Sequence, residues 1–149
     1  LLIKRPQLRF YIVGRSPTPE VLALASQNVI VTGTVPDVRP YLQHAAVVVA
    51  PLRIARGIQN KILEAMAMAR PVIASTECAA AVDAEFGTEL KTATNPTDFV
   101  TEIDALLENP ESIRCIGRAA RQRVIAQYSW EVHLAKIDHY LPTAQGDAA

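Results

Sequence analysis

The amino-acid sequence predicts an α/β fold, built as a doubly wound parallel sheet with additional helices after the last strand. Short β-rich segments alternate with helical segments as far as residue 93, which is the pattern of strands joined by helical crossovers. Residues 46–50 are apolar without alternation, as in a strand that is covered on both faces. After residue 93 only helical patterns remain. These observations together place helices on both faces of a parallel sheet.

Turn and cap residues divide the first third of the sequence into strands and helices. Gly14 and Gly33 each end a β-rich run, and Asp37 is suited to cap the helix that follows the second run. The predicted elements are a strand over residues 8–13, a helix over 19–27, a strand over 29–32, a helix over 37–44 and a strand over 46–50.

The helix predicted over residues 58–69 has one apolar face. Its members recur at helical spacing and are Ile58, Ile62, Ala65, Met66 and Ala69. A fourth strand is predicted over residues 71–74, with Pro71 at its first position, where the missing N–H matters least. A short Ala-rich helix over residues 79–85 and a fifth strand over residues 89–93 complete the alternation.

Three helices are predicted after the fifth strand, and each has a capping residue. Asn95 and Asn109 cap the first two and are followed by proline at the first helical position, while Ser129 caps the third. The inward-facing residues are Phe99, Ile103, Leu106, Leu107, then Ile113, Ile116, Ala120, Val124, then Trp130, Leu134, Ile137 and Leu141. Residues 1–141 are therefore expected to form one domain, followed by a disordered tail over residues 142–149.

Composition and charge argue against several classes of protein. Half of the residues are hydrophobic and 15 basic residues balance 15 acidic ones, so neither a disordered chain nor a nucleic-acid-binding surface is indicated. The longest apolar run is too short to span a membrane, and no signal-peptide pattern is present. Cys78 and Cys115 are expected to be free, buried thiols in a reducing compartment, which favours the cytoplasm.

Residues suited to metal binding or nucleophilic catalysis do not cluster in the sequence. The histidines His44, His133 and His139 are scattered and have no partners at ligand spacing, so no metal site is expected. Neither a nucleophile elbow nor a dinucleotide fingerprint of spaced glycines occurs.

The loop after the third strand has the pattern of a phosphate site. In doubly wound sheets ligands bind outside the carboxyl ends of the strands, and this loop leads directly into the helix over residues 58–69. A helix start offers unpaired N–H groups and a partial positive charge, which suit a phosphate. Gly57 allows a ligand to approach the backbone closely, and Arg53 or Arg56 can add charge and forked hydrogen bonds.

The same helix has a polar face that is separate from its apolar one. Gly57, Lys61 and Glu64 share this face, and Asn60 neighbours Glu64. A carboxylate one to two turns below a phosphate-binding helix start is placed to accept hydrogen bonds from two ribose hydroxyls. Lys61 and Glu64 also have the spacing of an ordinary surface ion pair, so both interpretations stay open at this point.

Two further strand ends have weaker signals. Gly14 and Arg15 follow the first strand and are in the first instance a strand-ending turn. Residues 33–37, with Val35 at their centre, are in the first instance a turn and helix cap, and recognition of a nucleobase is the alternative.

Several short segments occur in a characteristic order. They are residues 10–14 (FYIVG), 33–38 (GTVPDV), 41–42 (YL), 50–52 (APL), 61–67 (KILEAMA), 70–74 (RPVIA) and 128–130 (YSW). Their order and spacing resemble the carboxyl-terminal half of GT-B retaining glycosyltransferases, and more narrowly the group 1 (family 4) enzymes, over residues 8–141. Residues 51–61 (PLRIARGIQNK) are similar to a subgroup linked to exosortase (PEP-CTERM) exopolysaccharide loci.

The resemblance implies roles for particular residues in binding a nucleotide-sugar donor. Glu64 matches the second glutamate of the family's motif of two glutamates separated by seven residues, which holds the donor ribose. Lys61 and the backbone near Gly57 would contact the diphosphate or the sugar, and residues around Val35 would line the base pocket. The full set of implied donor-binding residues is Glu64, Lys61, Asn60, Gly57, Arg56, Val35, Gly14 and Arg15.

Arg56 is a departure from the family pattern. It stands where the family has its first glutamate, so the usual carboxylate facing the donor sugar is absent. An arginine at this position is able to pair with a phosphate or an acidic sugar instead. The identity of the donor and the details of catalysis therefore stay open.

The resemblance also implies an activity and an incomplete enzyme. The parent would transfer a sugar with retention from a nucleoside-diphosphate sugar to a saccharide or lipid-linked acceptor, without a metal or other cofactor. The family's carboxyl-terminal half begins with one more strand and helix, and its other half binds the acceptor, so this chain alone would be inactive. Contact with the inner membrane would come only through the parent.

Two other functions are open alternatives to the transferase. A nucleotide-sugar epimerase of the same fold would need extra acidic and histidine residues near the strand ends. A receiver-like binding module would need an acidic cluster after the first strand and an aspartate at the end of the third, where Gly14, Arg15 and Pro51 stand instead.

Overall fold

Five short strands and six helices alternate along the part of the chain that a computed structural model describes, which comprises residues 1–52, 60–132 and 134. In chain order they are β1 (Phe10–Val13), α1 (Pro19–Leu22), β2 (Val29–Gly33), α2 (Arg39–His44), β3 (Val48–Ala50), α3 (Asn60–Ala67), β4 (Val72–Ser75), α4 (Thr76–Ala79), β5 (Lys91–Ala93), α5 (Pro96–Glu108) and α6 (Pro110–Tyr128). The predicted α/β class with parallel strands and carboxyl-terminal helices is confirmed.

The strands form two parallel sheets. β1 pairs with β2, with Tyr11 opposite Ile30, and the other sheet has the order β3-β4-β5, with Val49 opposite Ile73. Where the sequence predicted one sheet, β1 and β3 are not hydrogen-bonded to each other, and the two sheets stay separate.

The core is centred on β4, whose residues are all buried. On one face of the sheet α3 packs through Ile62, Ala65 and Met66, all fully buried, which confirms the central part of the predicted apolar stripe. On the opposite face Ile73 contacts the apolar side of α5. Helices on both faces of a parallel sheet are the doubly wound arrangement that the sequence predicted.

The helix α6 closes the domain by packing against α3. Its Gly117 lies directly against the backbone carbonyl of Ala69, just beyond the end of α3. Ala69 has a left-handed conformation with φ of 54°, and the N–H of Arg70 donates to the Ala65 carbonyl at 3.0 Å, as at many helix carboxyl ends. The inward-facing Ile116 and Ala120 are buried beside this contact, as predicted.

The two long helices begin at the predicted caps. The side chain of Asn95 accepts a hydrogen bond from the Asp98 N–H at 3.0 Å, and that of Asn109 accepts one from the Ser112 N–H at 3.1 Å. Asp98 in turn accepts from the Thr94 N–H at 3.0 Å, and these hydrogen bonds to Thr94 and Asn95 lower the pKa of Asp98. Asparagine followed by proline was therefore a dependable signal for these two helix starts.

Several element bounds differ from the prediction for identifiable reasons. The helix expected over residues 19–27 ends at Leu22, because the chain turns at Ala23 to reach β2. The helix expected over residues 79–85 is instead Thr76–Ala79, because Ser75 caps it by accepting from the Cys78 N–H. The prediction that Asp37 caps α2 is wrong, because α2 begins at Arg39 with Val38 at its cap position and no side-chain cap; Asp37 instead accepts from the Arg39 N–H at 2.9 Å in the turn before the helix.

The last predicted helix is only partly described. Ser129 accepts from the Val132 N–H at 3.4 Å, as expected of a cap. The prediction that Trp130 and Leu134 are core residues is wrong, since Trp130 is 79% exposed and Leu134 is exposed as well. Helical spacing predicts that the two side chains share one face of a helix. It does not predict whether another helix or strand packs against that face. Ile58, Ile137 and Leu141 lie outside the described residues.

None of the helices in the described ranges is both long enough and apolar enough to cross a membrane.

Candidate functional site

The predicted ligand-binding segments follow the carboxyl ends of the strands, so within each sheet they lie at the same end of the strands. Because strands within each sheet are parallel, Gly14 after β1 lies at the same edge as Gly33 at the end of β2. By the same geometry Pro51 after β3 lies at the same edge as Ser75 at the end of β4. Ligands of open α/β sheets bind at such edges.

The carboxyl ends of β1 and β2 are open to solvent. Gly14 and Arg15 are exposed, and a side chain built at Gly14 would meet no atom within 4 Å. Gly33 has φ of 67°, which only glycine adopts without strain, so the chain turns sharply there towards Val35. Val35 is half-buried. Backbone at Gly14 and Gly33 is therefore accessible to a planar or charged ligand.

An ion pair follows Val35 along the chain. Asp37 accepts hydrogen bonds from the N–H and the Nε of Arg39 at 2.9 and 3.0 Å. The Arg39 guanidinium and N–H lower the pKa of Asp37, so its carboxylate stays charged and engaged with Arg39. Asp37 therefore helps to shape the turn around Val35, and the sequence alone did not reveal this pairing.

The end of β3 is held against the end of β4 by one buried hydroxyl. Ser75 Oγ donates to the Leu52 carbonyl at 2.6 Å and accepts from the Cys78 N–H at 3.3 Å. Cys78 Sγ also donates to the Leu52 carbonyl, at 3.7 Å. These hydrogen bonds hold the backbone of Leu52 in place, immediately before the predicted phosphate-binding loop. The only signal in the sequence was a serine that follows an apolar strand.

Replacing Ser75 by alanine is expected to lower the free energy of unfolding by about 2 kcal/mol. The change removes the hydrogen bond to Leu52, leaves that carbonyl without this donor and removes the cap of α4. Chemical denaturation would measure the loss, with Thr76→Ala as the control, because Thr76 is the exposed neighbour. Equal stability of the Ser75→Ala protein and the unmodified chain would show that the hydroxyl does not anchor the Leu52 backbone.

The face of α3 opposite the core carries the predicted polar residues. Lys61, Glu64 and Asn60 are exposed, whereas Ile62 and Ala65 are fully buried. The predicted separation of a polar face from the apolar stripe is therefore observed. Gly57, Arg56 and Arg53 lie outside the described residues, so their predicted roles stay predictions.

Lys61 and Glu64 do not form the ion pair that their spacing permits. Among the ion pairs of residues 1–52, 60–132 and 134, none joins these two side chains. Each charge is therefore directed to solvent rather than to the other. An exposed ammonium and an exposed carboxylate on one helix face can contact the anionic part and the hydroxyl groups of one ligand.

Side chains suited to metal binding are not grouped in the described part of the chain. No three His, Cys, Asp or Glu side chains there are placed to hold one metal ion. Both cysteines are free thiols and Cys78 is buried as predicted, but the predicted burial of Cys115 is wrong, because its side chain lies on the exposed side of α6.

Comparison with protein-family models finds one family. Residues 1–109 match the model described as glycosyl transferases group 1. No curated protein sequence matches the chain.

Solved structures with the same fold include several glycosyltransferases. S. aureus TarM is 23% identical with a TM-score of 0.77, over 93% of this chain and 29% of TarM. Anabaena HepE in complex with UDP is 20% identical with a TM-score of 0.77, over 91% of this chain and 42% of HepE. The carboxyl-terminal domain of the group 1 protein LpcC from Francisella tularensis is 18% identical with a TM-score of 0.74, over 87% of this chain and 74% of that domain.

These similarities show the fold and the extent of the match. The chain spans less than half the length of TarM and of HepE, but most of the isolated LpcC domain. The described fold therefore corresponds to one domain of larger proteins.

Proposed function

Since the chain belongs to the group 1 glycosyl transferases, we propose that it is the donor-binding half of a two-domain glycosyltransferase. The parent enzyme transfers a sugar, with retention, from a nucleoside-diphosphate sugar to a saccharide or lipid-linked acceptor. The observation that supports this most directly is the polar face of α3, where Lys61 and Glu64 are both exposed and are not paired with each other. HepE, which has the same fold, was solved in complex with UDP.

The proposed donor site assigns a chemical task to each polar residue of α3. The Glu64 carboxylate accepts hydrogen bonds from the two ribose hydroxyls, since an ionised carboxylate has four acceptor positions and no donor to interfere. The Lys61 ammonium, one turn nearer the helix start, contacts the diphosphate or the sugar. Asn60 supplies an amide that both donates and accepts, next to Glu64.

The remaining donor contacts come from the strand ends and from the loop before α3. Backbone groups around Val35 line the base pocket, and Gly14 and Arg15 border it across the β1–β2 edge. Gly57 and Arg56 bind the diphosphate or the sugar, where Arg56 replaces the family's carboxylate. Helix dipole and basic side chains then neutralise the departing diphosphate, so the reaction requires no metal.

The wider role follows from the similarity of residues 51–61 to the exosortase-linked subgroup. We place the parent in exopolysaccharide biosynthesis, in the cytoplasm, with any contact to the inner membrane made outside this domain. Because a second domain would supply the acceptor side, the isolated chain binds donor weakly and catalyses no transfer. Steady transferase activity from this chain alone would contradict the proposal that a second domain is needed to bind the acceptor.

A nucleotide panel tests the proposal. Thermal unfolding of the chain is measured with millimolar UDP, GDP and ADP, and with uridine, guanosine and adenosine as controls that lack phosphate. One diphosphate should stabilise the chain, by about 2.7 kcal/mol at one hundred times its dissociation constant, which is several degrees for a domain of this size. The nucleosides should have little effect because the helix start and Lys61 bind the phosphates.

The outcomes of the panel are distinct. A shift with one diphosphate identifies the base, and equal shifts with all three place recognition in the ribose and phosphates alone. Absence of a shift both in this chain and in the full-length parent would refute a donor site.

A further inference from the structure

An aromatic side chain is exposed on the 83–89 segment, which lies between α4 and β5. Phe86, in the middle of this segment, is 51% exposed, and its neighbours Glu85 and Gly87 are exposed as well. Aromatic residues are enriched at protein interfaces and often carry much of the binding energy there. Phe86 is therefore a candidate contact residue, provided that the backbone beneath it is well held.

The backbone of the 83–89 segment is held against α6. The Glu89 carboxylate accepts hydrogen bonds from the Glu85 N–H and from Nε of Arg123, both at 2.7 Å. The Tyr128 hydroxyl, also on α6, accepts from the Asp83 N–H at 2.7 Å. The segment is thus ordered without using its aromatic side chain, so binding through that side chain would cost little conformational entropy.

A groove with an apolar floor lies beside the exposed aromatic residue. Gly87 and Thr88 form one wall of this groove, which has a volume of about 560 Å³ and is bounded on its other sides by α5 and α6. Leu106 and Ile116, both buried, form part of its floor. A groove of this volume is large enough to take an aromatic side chain. The exposure of Phe86 shows that it does not fill the groove of its own chain.

Opposite charges lie at different levels of α6 on this side of the molecule. Asp83 and Glu85 are exposed beside the second half of α6, whereas Arg118 is exposed on its first half. In the ranges that the structure describes, none of these three side chains belongs to an ion pair. Arg118 precedes Tyr128, which holds Asp83, by ten residues, or about 15 Å along the helix.

This arrangement is complementary to itself under a two-fold rotation. Two copies related by a two-fold axis across α6 have antiparallel α6 helices, so the first half of one helix faces the second half of the other. The aromatic residue of each copy then meets the groove of the other, because the groove is lined by residues 112–119 of α6 and the 83–89 segment is held by residues 123 and 128. Each acidic group likewise meets the basic group of the other copy.

We propose that the 83–89 segment and the adjacent groove form a two-fold interface between two copies of this chain. Phe86 of each copy inserts into the groove of the other, and Asp83 lies beside the partner's Arg118. The groove is at the amino end of β5, where Lys91 begins the strand, so the carboxyl ends of the strands stay open in the dimer. The proposal does not rest on which ligand binds at those carboxyl ends.

Sedimentation velocity of the chain, at concentrations from about 1 µM to 1 mM, measures the dissociation constant of the dimer. Phe86→Ser should raise this constant at least about tenfold, because the central aromatic contact is lost on both sides of the two-fold axis. Leu24→Ser is the matched control, since Leu24 is 56% exposed in the turn after α1, and it should leave the constant unchanged. Circular dichroism spectra equal to that of the unmodified chain would establish that each variant is folded.

Charge reversal tests the two-fold symmetry directly. Asp83→Arg and Arg118→Asp each place like charges at both contacts, so each variant alone should dimerise at least about tenfold more weakly. An equal mixture of the two variants should dimerise about as tightly as the unmodified chain, because both contacts of the mixed dimer then join opposite charges. The proposal would be overturned by a chain that is monomeric over the whole concentration range, by a dimer that Phe86→Ser does not weaken, or by a mixture that associates no better than its components.

Discussion

Replacement of Glu64 by alanine is expected to weaken binding of the preferred nucleoside diphosphate at least about 100-fold while leaving the fold unchanged. Two hydrogen bonds from ribose hydroxyls to a carboxylate would be lost, and hydrogen bonds to charged groups contribute about 1.5–3 kcal/mol each. A 100-fold change corresponds to about 2.7 kcal/mol, which is slightly less than the smallest sum for two such bonds and therefore a lower bound. Glu64 is exposed and its face of α3 is opposite the core, so its truncation should change stability by no more than about 0.5 kcal/mol.

Isothermal titration of the parent enzyme with the nucleotide identified by the panel would measure this change. Glu85→Ala is the matched control, because Glu85 is also exposed but lies before β5, away from the carboxyl ends of the strands. Glu64→Gln separates charge from shape, since the amide has one acceptor oxygen and adds donors that ribose hydroxyls do not require. If Glu64→Ala bound as tightly as the unmodified protein, the ribose would have to be held elsewhere.

Replacement of Gly117 by alanine is expected to lower the free energy of unfolding by about 3 kcal/mol. A Cβ atom at this position would lie 2.9 Å from the carbonyl carbon of Ala69 and closer still to its oxygen. These neighbours are backbone atoms that cannot rotate aside, so the cost should reach the upper end of the usual range for overpacking, about 3 kcal/mol. In an open helix the same change would stabilise by roughly 1 kcal/mol, so the sign of the effect reports directly on the contact.

Denaturant titration would measure the change, with the same dependence of unfolding free energy on denaturant concentration applied to each protein. Arg118→Ala is the control on the same helix. Arg118 is exposed and adjacent, so its truncation should stay within about 0.5 kcal/mol. A stabilised Gly117→Ala protein would show that α6 does not approach Ala69 this closely.

The elements that the sequence predicted best have a strong local pattern. The apolar stripe of α3 became a buried face at Ile62 and Met66, and the asparagine caps of α5 and α6 formed as expected. These features depend on helical periodicity and on one side chain bonding to a nearby N–H, so distant residues are not needed to specify them.

The features that the sequence did not predict depend on partners far along the chain. The exposure of Trp130 depends on whether another element covers its face, and spacing cannot reveal that. The separation of β1 from β3 likewise depends on how the strands pair across the whole fold. Pairing of parallel strands is decided by the whole topology rather than by the residues of either strand.

The candidate site was predicted in part. The separate polar face of α3 with Lys61 and Glu64 could be read from helical spacing, but whether the two charges pair with each other could not. The bond from Ser75 to Leu52 could not be predicted either, because it joins the ends of two strands that are neighbours only in the folded sheet.

The contact between Gly117 and Ala69 also sets an order of events during synthesis. α3 is made well before α6, yet the backbone at its end is covered only when α6 packs over it. Until α6 has left the ribosome, we expect the buried face of α3 to have only part of its final cover and to expose apolar surface, which favours aggregation. Because α6 follows all the other elements of the described residues, we expect the core around α3 to be completed late in translation.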